Sequence, residues 1–205
     1  MTTKERITEE ALQLFAEKGY KGTSVKNIAD AVGIKDASLY NHFKSKQDIF
    51  DSIVELIFSH ISELSQEIGL PQEAGEMEII FYEKLDLKDL KEISRKAFLF
   101  YLTDSYVSKF WRIAQMEQYT NPEIYARFRK LFFDDAIAYQ EKLFDEMGKR
   151  GIFNCSDARA AAINFYAPIF LLLSMYQEQT NRVEEALALL DKQIEEFFRI
   201  YRKKD

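Results

Sequence analysis

Seven glycines and three prolines are the only strong backbone breakers in 205 residues. A strand-rich fold needs many tight turns, so punctuation this sparse favours long helices. The pattern between the breakers agrees, because apolar residues recur at intervals of three and four along nearly every stretch. The expected fold class is all-α, with about nine main helices and no strand.

The breakers and caps place those helices. Ile7, Ala11, Leu14 and Phe15 mark the first, and Gly19 and Gly22 end it. Thr23 or Ser24 can cap a second, which turns Val25, Ile28, Ala29 and Val32 inward and stops at Gly33. A short third carries Leu39, Tyr40 and Phe43. Ser45 with Asp48 reads as a capping box opening a fourth, with Ile49, Ile53, Leu56, Ile57, Ile61 and Leu64 along it. Gly69, Pro71 and Gly75 form the one break long enough for a hinge or boundary loop. Further helices are predicted from about Asp89, from Ser105 to Gln118, from the strong start signal Asn121-Pro122 to about Met147, from Ser156 to about Gln179, and from Arg182 to Lys203.

The second and third helices have the spacing of a helix-turn-helix. Two short helices crossing steeply need a small residue at the crossing, which Ala29 supplies. The turn needs a residue that tolerates positive φ, and Gly33 stands four residues later. Ile28, Val32, Ile34 and Leu39 would fill the wedge. The third helix would then turn Lys35, Asp36, Ala37, Ser38, Asn41 and His42 outward, with its N-terminal residues toward base edges in a major groove. An ordinary αα-hairpin shares the Ala-x-x-x-Gly element, so the element alone does not decide.

Net charge is −6, which at first sight opposes DNA binding. The total hides an asymmetry. Residues 1–50 hold eight basic against seven acidic residues, a net +1, so residues 51–205 carry −7. DNA binding needs a local basic face, which Lys35, Lys44 and Lys46 would supply.

The continuation Leu39-Tyr-Asn-His-Phe-Lys-Ser-Lys46 weighs against an ordinary hairpin. Together with Ala11 to Phe15, Gly19-Tyr20, Thr23, Ile28-Ala29, Val32-Gly33-Ile34 and Ile49-Phe50, it makes residues 5–55 resemble the tetracycline-repressor (TetR) family of regulators. Beyond residue 55 only helix number and length are similar. The resemblance implies backbone-phosphate contacts from Tyr40, His42 and Lys46, and a helix cap at Thr23 that also touches phosphate. It places Lys35, Asp36, Ala37, Ser38 and Asn41 on the base-reading face. Two positions depart from the family pattern. Asp36 stands where a basic or small residue is common, and could accept a hydrogen bond from a cytosine amino group or cap the third helix. Ala37 stands where glycine is frequent. Both bear on which operator is read.

The resemblance also implies a domain of residues 1–46 for DNA and a domain of residues 47–205 for dimerisation and ligand sensing. The last two helices are the expected dimer interface, through Ala158, Ala161, Ala162, Phe165, Ile169, Leu172, Leu190, Ile194 and Phe197, in an isologous four-helix bundle. Eleven aromatic residues lie between Phe98 and Phe133. Ligand pockets are lined by such groups, so Trp111, Gln115, Tyr119, Phe132 and Tyr166 are the candidate sensing residues. Aromatics at helical spacing equally fill an ordinary core.

Other classes find less support. With only His42 and His60, a histidine-rich metal site is out, and no phosphate-cradling glycine loop or hydrolase elbow occurs. The single Cys155 precludes an internal disulfide. The start of the chain lacks the apolar core of a secretory signal. Ala160 to Tyr176 is apolar enough to raise a membrane span, but Asn164 and Pro168 interrupt it and a subunit interface needs the same composition. The expectation is a cytoplasmic, non-enzymatic regulator without cofactor, a homodimer on double-stranded operator DNA, answering to a small-molecule effector. The alternative is a helical interaction or ligand-binding protein that does not bind DNA.

Overall fold

The computed structural model describes residues 1–70 and 76–203. Among the described residues eleven α-helices follow one another: α1 (Thr3–Gly22), α2 (Val25–Val32), α3 (Asp36–Leu39), α4 (Lys46–Glu67), α5 (Glu76–Lys84), α6 (Leu87–Thr103), α7 (Ser105–Glu117), α8 (Pro122–Arg129), α9 (Ala136–Lys149), α10 (Ala158–Tyr176) and α11 (Val183–Tyr201). A π-helical turn, Lys130–Asp135, joins α8 to α9. The helix expected from Asn121-Pro122 to about Met147 is therefore present, with this π turn inside it. Among the described residues the only β-pairing is an isolated bridge between Phe153 and Arg202. The helix that the periodicity missed is α5. Of the expected hinge, Gly69 closes the end of α4 at φ 75°, and Pro71 and Gly75 lie outside the described residues.

The chain divides into two compact units, residues 1–62 with 105–129, and residues 63–104 with 130–205. This packing division differs from a functional boundary at residue 46. Helix α4 enters the first unit by burying Ile49, Phe50, Ile53 and Ile57, and α7 packs along α1. An aromatic relay runs through that unit: Phe15 to Phe50 at 6.4 Å, Phe50 to Phe110 at 6.2 Å, and Phe110 to Phe128 at 6.3 Å between ring centroids. Complete burial of such rings contributes roughly 2–3 kcal/mol each.

In the second unit α10 packs against α9 and α11, and α6 lies against α10 and α11. Its core gathers Leu143, Phe144, Met147, Phe153, Ala161, Ala162 and Phe197. Pro168 sits inside α10. Its missing N–H frees the Asn164 carbonyl four residues back, and the Gln193 side chain of α11 donates to that oxygen at 3.3 Å. The cap expected at Ser156 is supplied instead by Asp157, whose carboxylate accepts from the Ala160 N–H at 2.9 Å.

Candidate DNA-binding site

The helix-turn-helix is built by local bonds that the sequence encodes. Ser24, and not Thr23, caps α2: Ser24 Oγ accepts from the Asn27 N–H at 3.1 Å, and Asn27 Oδ1 accepts from the Ser24 N–H at 2.9 Å. Gly33 ends α2 at φ 77°, in the left-handed region, and the Ile34 N–H closes back on the Ala29 carbonyl at 3.0 Å. Ile28, Ala29 and Leu39 are fully buried in the wedge. The Arg6 guanidinium of α1 donates to the Val32 carbonyl at 2.6 Å, which fixes the end of α2 to the first helix.

The recognition face is open. Lys35, Asp36, Ala37, Asn41 and His42 are exposed, and Ser38 is half-buried. Tyr40 is 54 % exposed, which is far more than a packing aromatic on the inner side of the turn would be. Leu39 and Phe43 take the inward positions instead. Asp36 does not cap α3. Lys35 occupies the cap position without a side-chain bond, and Asp36 is the first helical residue, where a carboxylate complements the positive helix end. Lys44 is exposed beside this face, and its backbone N–H donates to the Asp48 carboxylate at 2.9 Å, while the Asp48 N–H donates to Ser45 Oγ at 3.1 Å.

Two of the expected phosphate contacts are engaged within the chain. Thr23 is buried, and its hydroxyl donates to the Gly19 carbonyl at 3.0 Å and lies 3.2 Å from the Leu14 carbonyl. Lys46 points inward. Its ammonium donates to the carbonyls of Tyr20 (2.8 Å) and Thr23 (2.9 Å) and lies 4.2 Å from the centre of the Tyr20 ring. Partial burial lowers its pKa, and nearby Glu117 opposes that shift. Both residues hold the α1–α2 turn in place, so the exposed basic groups of this face are Lys35 and Lys44.

Glu117, the last residue of α7, completes that turn. It is 3 % exposed, and its carboxylate accepts the Tyr20 N–H at 2.8 Å, the Lys21 N–H at 3.4 Å and the Thr120 hydroxyl at 2.9 Å. Gly19 has φ 76°, and a Cβ there would stand 3.2 Å from the Glu117 Oε1 atom. No sequence signal marked Glu117, because an acid at a helix C-terminus usually reads as a solvated charge.

The expected sensing residues divide between the units. In the first, Trp111 is buried edge-on against Phe128 at 5.1 Å, Gln115 is exposed, and Tyr119 is 89 % exposed. Gln115 and Tyr119 line no interior surface. In the second, Phe132 and Tyr166 are within the helical body, and Tyr101 stands 5.9 Å from Phe132. The expected dimer residues lie mostly inside the chain. Ala161, Ala162, Leu172, Leu190, Ile194 and Phe197 are buried in the chain's own core, while Ala158, Phe165 and Ile169 are half-buried. The apolar surface left open on α10 is a stripe of Ala160, Ile163, Ala167, Leu171 and Met175, with Leu189 and Ile200 exposed on α11. Helix α10 is long and apolar enough to cross a membrane, yet only 22 % of its apolar window is buried within the chain. Near its start, Cys155 has its thiol pKa raised, chiefly by burial, rather than lowered by the helix end.

Comparison with known proteins agrees with the geometry. Residues 7–53 match the bacterial regulatory proteins of the tetR family. The biofilm operon icaADBC HTH-type negative transcriptional regulator IcaR of Staphylococcus aureus (strain Newman) is 44% identical over 61 residues, which are 30% of this chain and 33% of that protein. Its Staphylococcus epidermidis counterpart is 44% identical over 57 residues. The chain thus matches about a third of the length of these curated relatives. Two solved structures share the fold along nearly the whole chain. The SmeT–triclosan complex has a TM-score of 0.71 at 20% identity, covering 100% of this chain and 93% of that one. The transcriptional regulator FadR from Bacillus subtilis in complex with stearoyl-CoA has a TM-score of 0.65 at 19% identity, covering 94% and 96%. Residues 7–53 are thus similar to the bacterial regulatory proteins of the tetR family, and the fold is shared with these solved structures along nearly the whole chain.

Proposed function

We propose that the protein is a cytoplasmic, ligand-responsive transcription regulator that represses by binding a palindromic operator as a homodimer and leaves it when a small molecule binds. The observation that carries this reading is the open face of Lys35, Asp36, Ala37, Tyr40, Asn41 and His42 on a helix pair whose inner side is sealed by Leu39 and Phe43. Residues 1–46 would hold the DNA and residues 47–205 the effector and the second copy. One helix pair makes few contacts, so phosphate binding through Tyr40, His42, Lys35 and Lys44 would supply much of the affinity and make it salt-dependent. Selectivity would come from two recognition helices held about one DNA turn apart, roughly 34–36 Å. The open stripe Ile163, Ala167, Leu171 and Met175 supports the dimer, since a second copy laid against it would bury apolar surface that the chain leaves in water. The triclosan and stearoyl-CoA bound in the two similar solved structures support a sensing role for the helical body.

The test is a fluorescence-anisotropy titration with genomic fragments over a salt series. Selective binding, weakened by Tyr40→Phe at unchanged dimer content, is expected. Binding without selectivity at any salt concentration refutes the reading and favours a helical ligand-binding protein that does not act on DNA.

A further inference from the structure

The first helix begins with a cation in an unfavourable place. Lys4 is the second residue of α1, and Thr2 caps that helix. The free N–H groups make this end of a helix positive, so a lysine is repelled there. No acid on its own helix faces it, because the residues three and four positions further on are Ile7 and Thr8. The acids of the surrounding elements have other partners. Glu5 accepts from the Thr2 N–H at 2.7 Å, Glu9 from the Tyr106 hydroxyl at 3.1 Å, and Asp48 from the Lys44 N–H at 2.9 Å. Asp36 sits in the first turn of α3, and Glu10 is exposed further along α1. Among the described residues Lys4 has no ion pair, and its ammonium has no hydrogen-bond acceptor.

What Lys4 does touch is the turn that follows the recognition helix. Its Nζ atom lies 5.4 Å from the centre of the Phe43 ring. An ammonium within about 6 Å of a ring face is attracted to it. Phe43 is only 2 % exposed, whereas Lys4 above it and the flanking His42 and Lys44 are all exposed. Two elements far apart in the chain thus bring an ammonium, an imidazole and a second ammonium around one buried ring. The ring also holds the lysine stem toward this turn, so less side-chain freedom is lost when the ammonium meets a ligand.

The donors define the ligand. An ammonium is a compact charge with three N–H groups, which suits an anionic oxygen reached from one side. A duplex laid on the open face would bring such oxygens to His42 and Lys44, and with them to Lys4.

We infer that Lys4 is a further DNA-contacting residue, which neutralises a backbone phosphate beside those approached by His42 and Lys44. This rests on the DNA-binding reading above and adds α1 to the elements that hold the duplex. Contacts from α1 and from the turn after α3 would together fix the orientation of the recognition helix in its groove.

The test needs no known operator, because phosphate contacts supply nearly all non-specific affinity. A fluorescein-labelled duplex of arbitrary sequence, about 30 base pairs long, is titrated by anisotropy between about 50 and 200 mM KCl. The proteins are the full-length wild type, Lys4→Met, Lys4→Arg and a control, Lys142→Ala, at an exposed position of α9. Methionine keeps an unbranched stem over the Phe43 ring and removes the charge. One phosphate contact contributes about 0.9 to the slope of log affinity against log salt, so two copies on the duplex lose about 1.8. The weakening caused by Lys4→Met is therefore expected to be about twelvefold greater at the lower salt concentration than at the higher. Lys4→Arg and Lys142→Ala are expected to keep the wild-type slope. A wild-type slope in Lys4→Met overturns the proposal whatever its affinity, since a lysine that only props the turn weakens binding equally at every salt concentration. An equal fall in slope for Lys142→Ala also overturns it, because any surface charge would then serve. A wild type that binds no DNA removes the DNA-binding reading and this contact with it. A wild type that binds beside an unaltered Lys4→Met removes the contact alone.

Discussion

Replacing Glu117 by alanine is expected to destabilise the first unit by about 3 kcal/mol, through loss of two main-chain hydrogen bonds rather than through a cavity alone. The carboxylate holds the Tyr20 N–H at 2.8 Å and the Thr120 hydroxyl at 2.9 Å, with the Lys21 N–H farther off at 3.4 Å. Hydrogen bonds to a charged group contribute about 1.5–3 kcal/mol, and a buried N–H left without a partner costs about 1–3 kcal/mol. An opposing effect is small. A negative charge at the C-terminal end of α7 is unfavourable by about 0.3–1 kcal/mol, and alanine relieves it. Glu117→Gln separates the two contributions. Its amide oxygen still accepts from Tyr20 and its amide nitrogen can donate to Thr120, so only about 1 kcal/mol of charge assistance is lost. For a chain of this size 1 kcal/mol moves the melting temperature by about 2–4 °C, so alanine should lower it by about 6–12 °C and glutamine by about 2–4 °C. Urea unfolding at fixed protein concentration provides the second measurement, with the midpoint shifted and the slope unchanged. A loss below about 0.5 kcal/mol for alanine, the ordinary range for a surface substitution, would refute the clamp. So would a glutamine variant as unstable as the alanine one.

Three other outcomes follow from local geometry. Gly33→Ala places a Cβ at φ 77° where nothing stands within 4 Å, so its cost is backbone strain alone, about 1–2 kcal/mol less about 0.4–1 kcal/mol from a stiffer unfolded chain. A net loss near 1 kcal/mol, or about 2–4 °C, is expected, and no loss would mean the turn can relax. Leu171→Glu puts a charge on a residue that is 58 % exposed within the α10 stripe, and sedimentation should show monomers with intact helicity; an unchanged dimer would mean that the second copy lies elsewhere. Glu185, exposed on α11, is held down to about 2 by hydrogen bonds from Arg182 and Tyr176. Its folded pKa lies below the unfolded value of about 4.3, so its stabilisation is complete above that pH and disappears as pH falls toward 2. The gap in melting temperature between wild type and Glu185→Gln should therefore be constant near neutrality and close between pH 4 and 2. A gap that persists at pH 2 would show that the pairing does not depend on ionisation.

Residues that act through backbone geometry were legible in the chain. Gly33 after Ala29, and Leu39 with Phe43 between polar neighbours, specify the helix pair and which of its sides faces outward, because a 3.6-residue period sorts buried from exposed positions. Lys46 and Thr23 were not legible. A lysine beside a basic motif carries the same signal whether its ammonium faces phosphate or, as here, the carbonyls of Tyr20 and Thr23. Helix α5 escaped because it follows a stretch of breakers and its apolar residues, Ile79 to Tyr82, run consecutively and not at helical spacing.

The sequence by itself determined the helical class, the helix-turn-helix and its outward residues, since these depend on neighbours within a few positions. Only the tertiary structure decided which side of α10 is core and which is free. Ala161, Ala162 and Leu172 face the chain's own helices, while Ile163, Ala167 and Leu171 do not. The physical reason is that a helix apolar on every side has no amphipathic stripe to read, so its orientation is set by the shape of the helices packed against it.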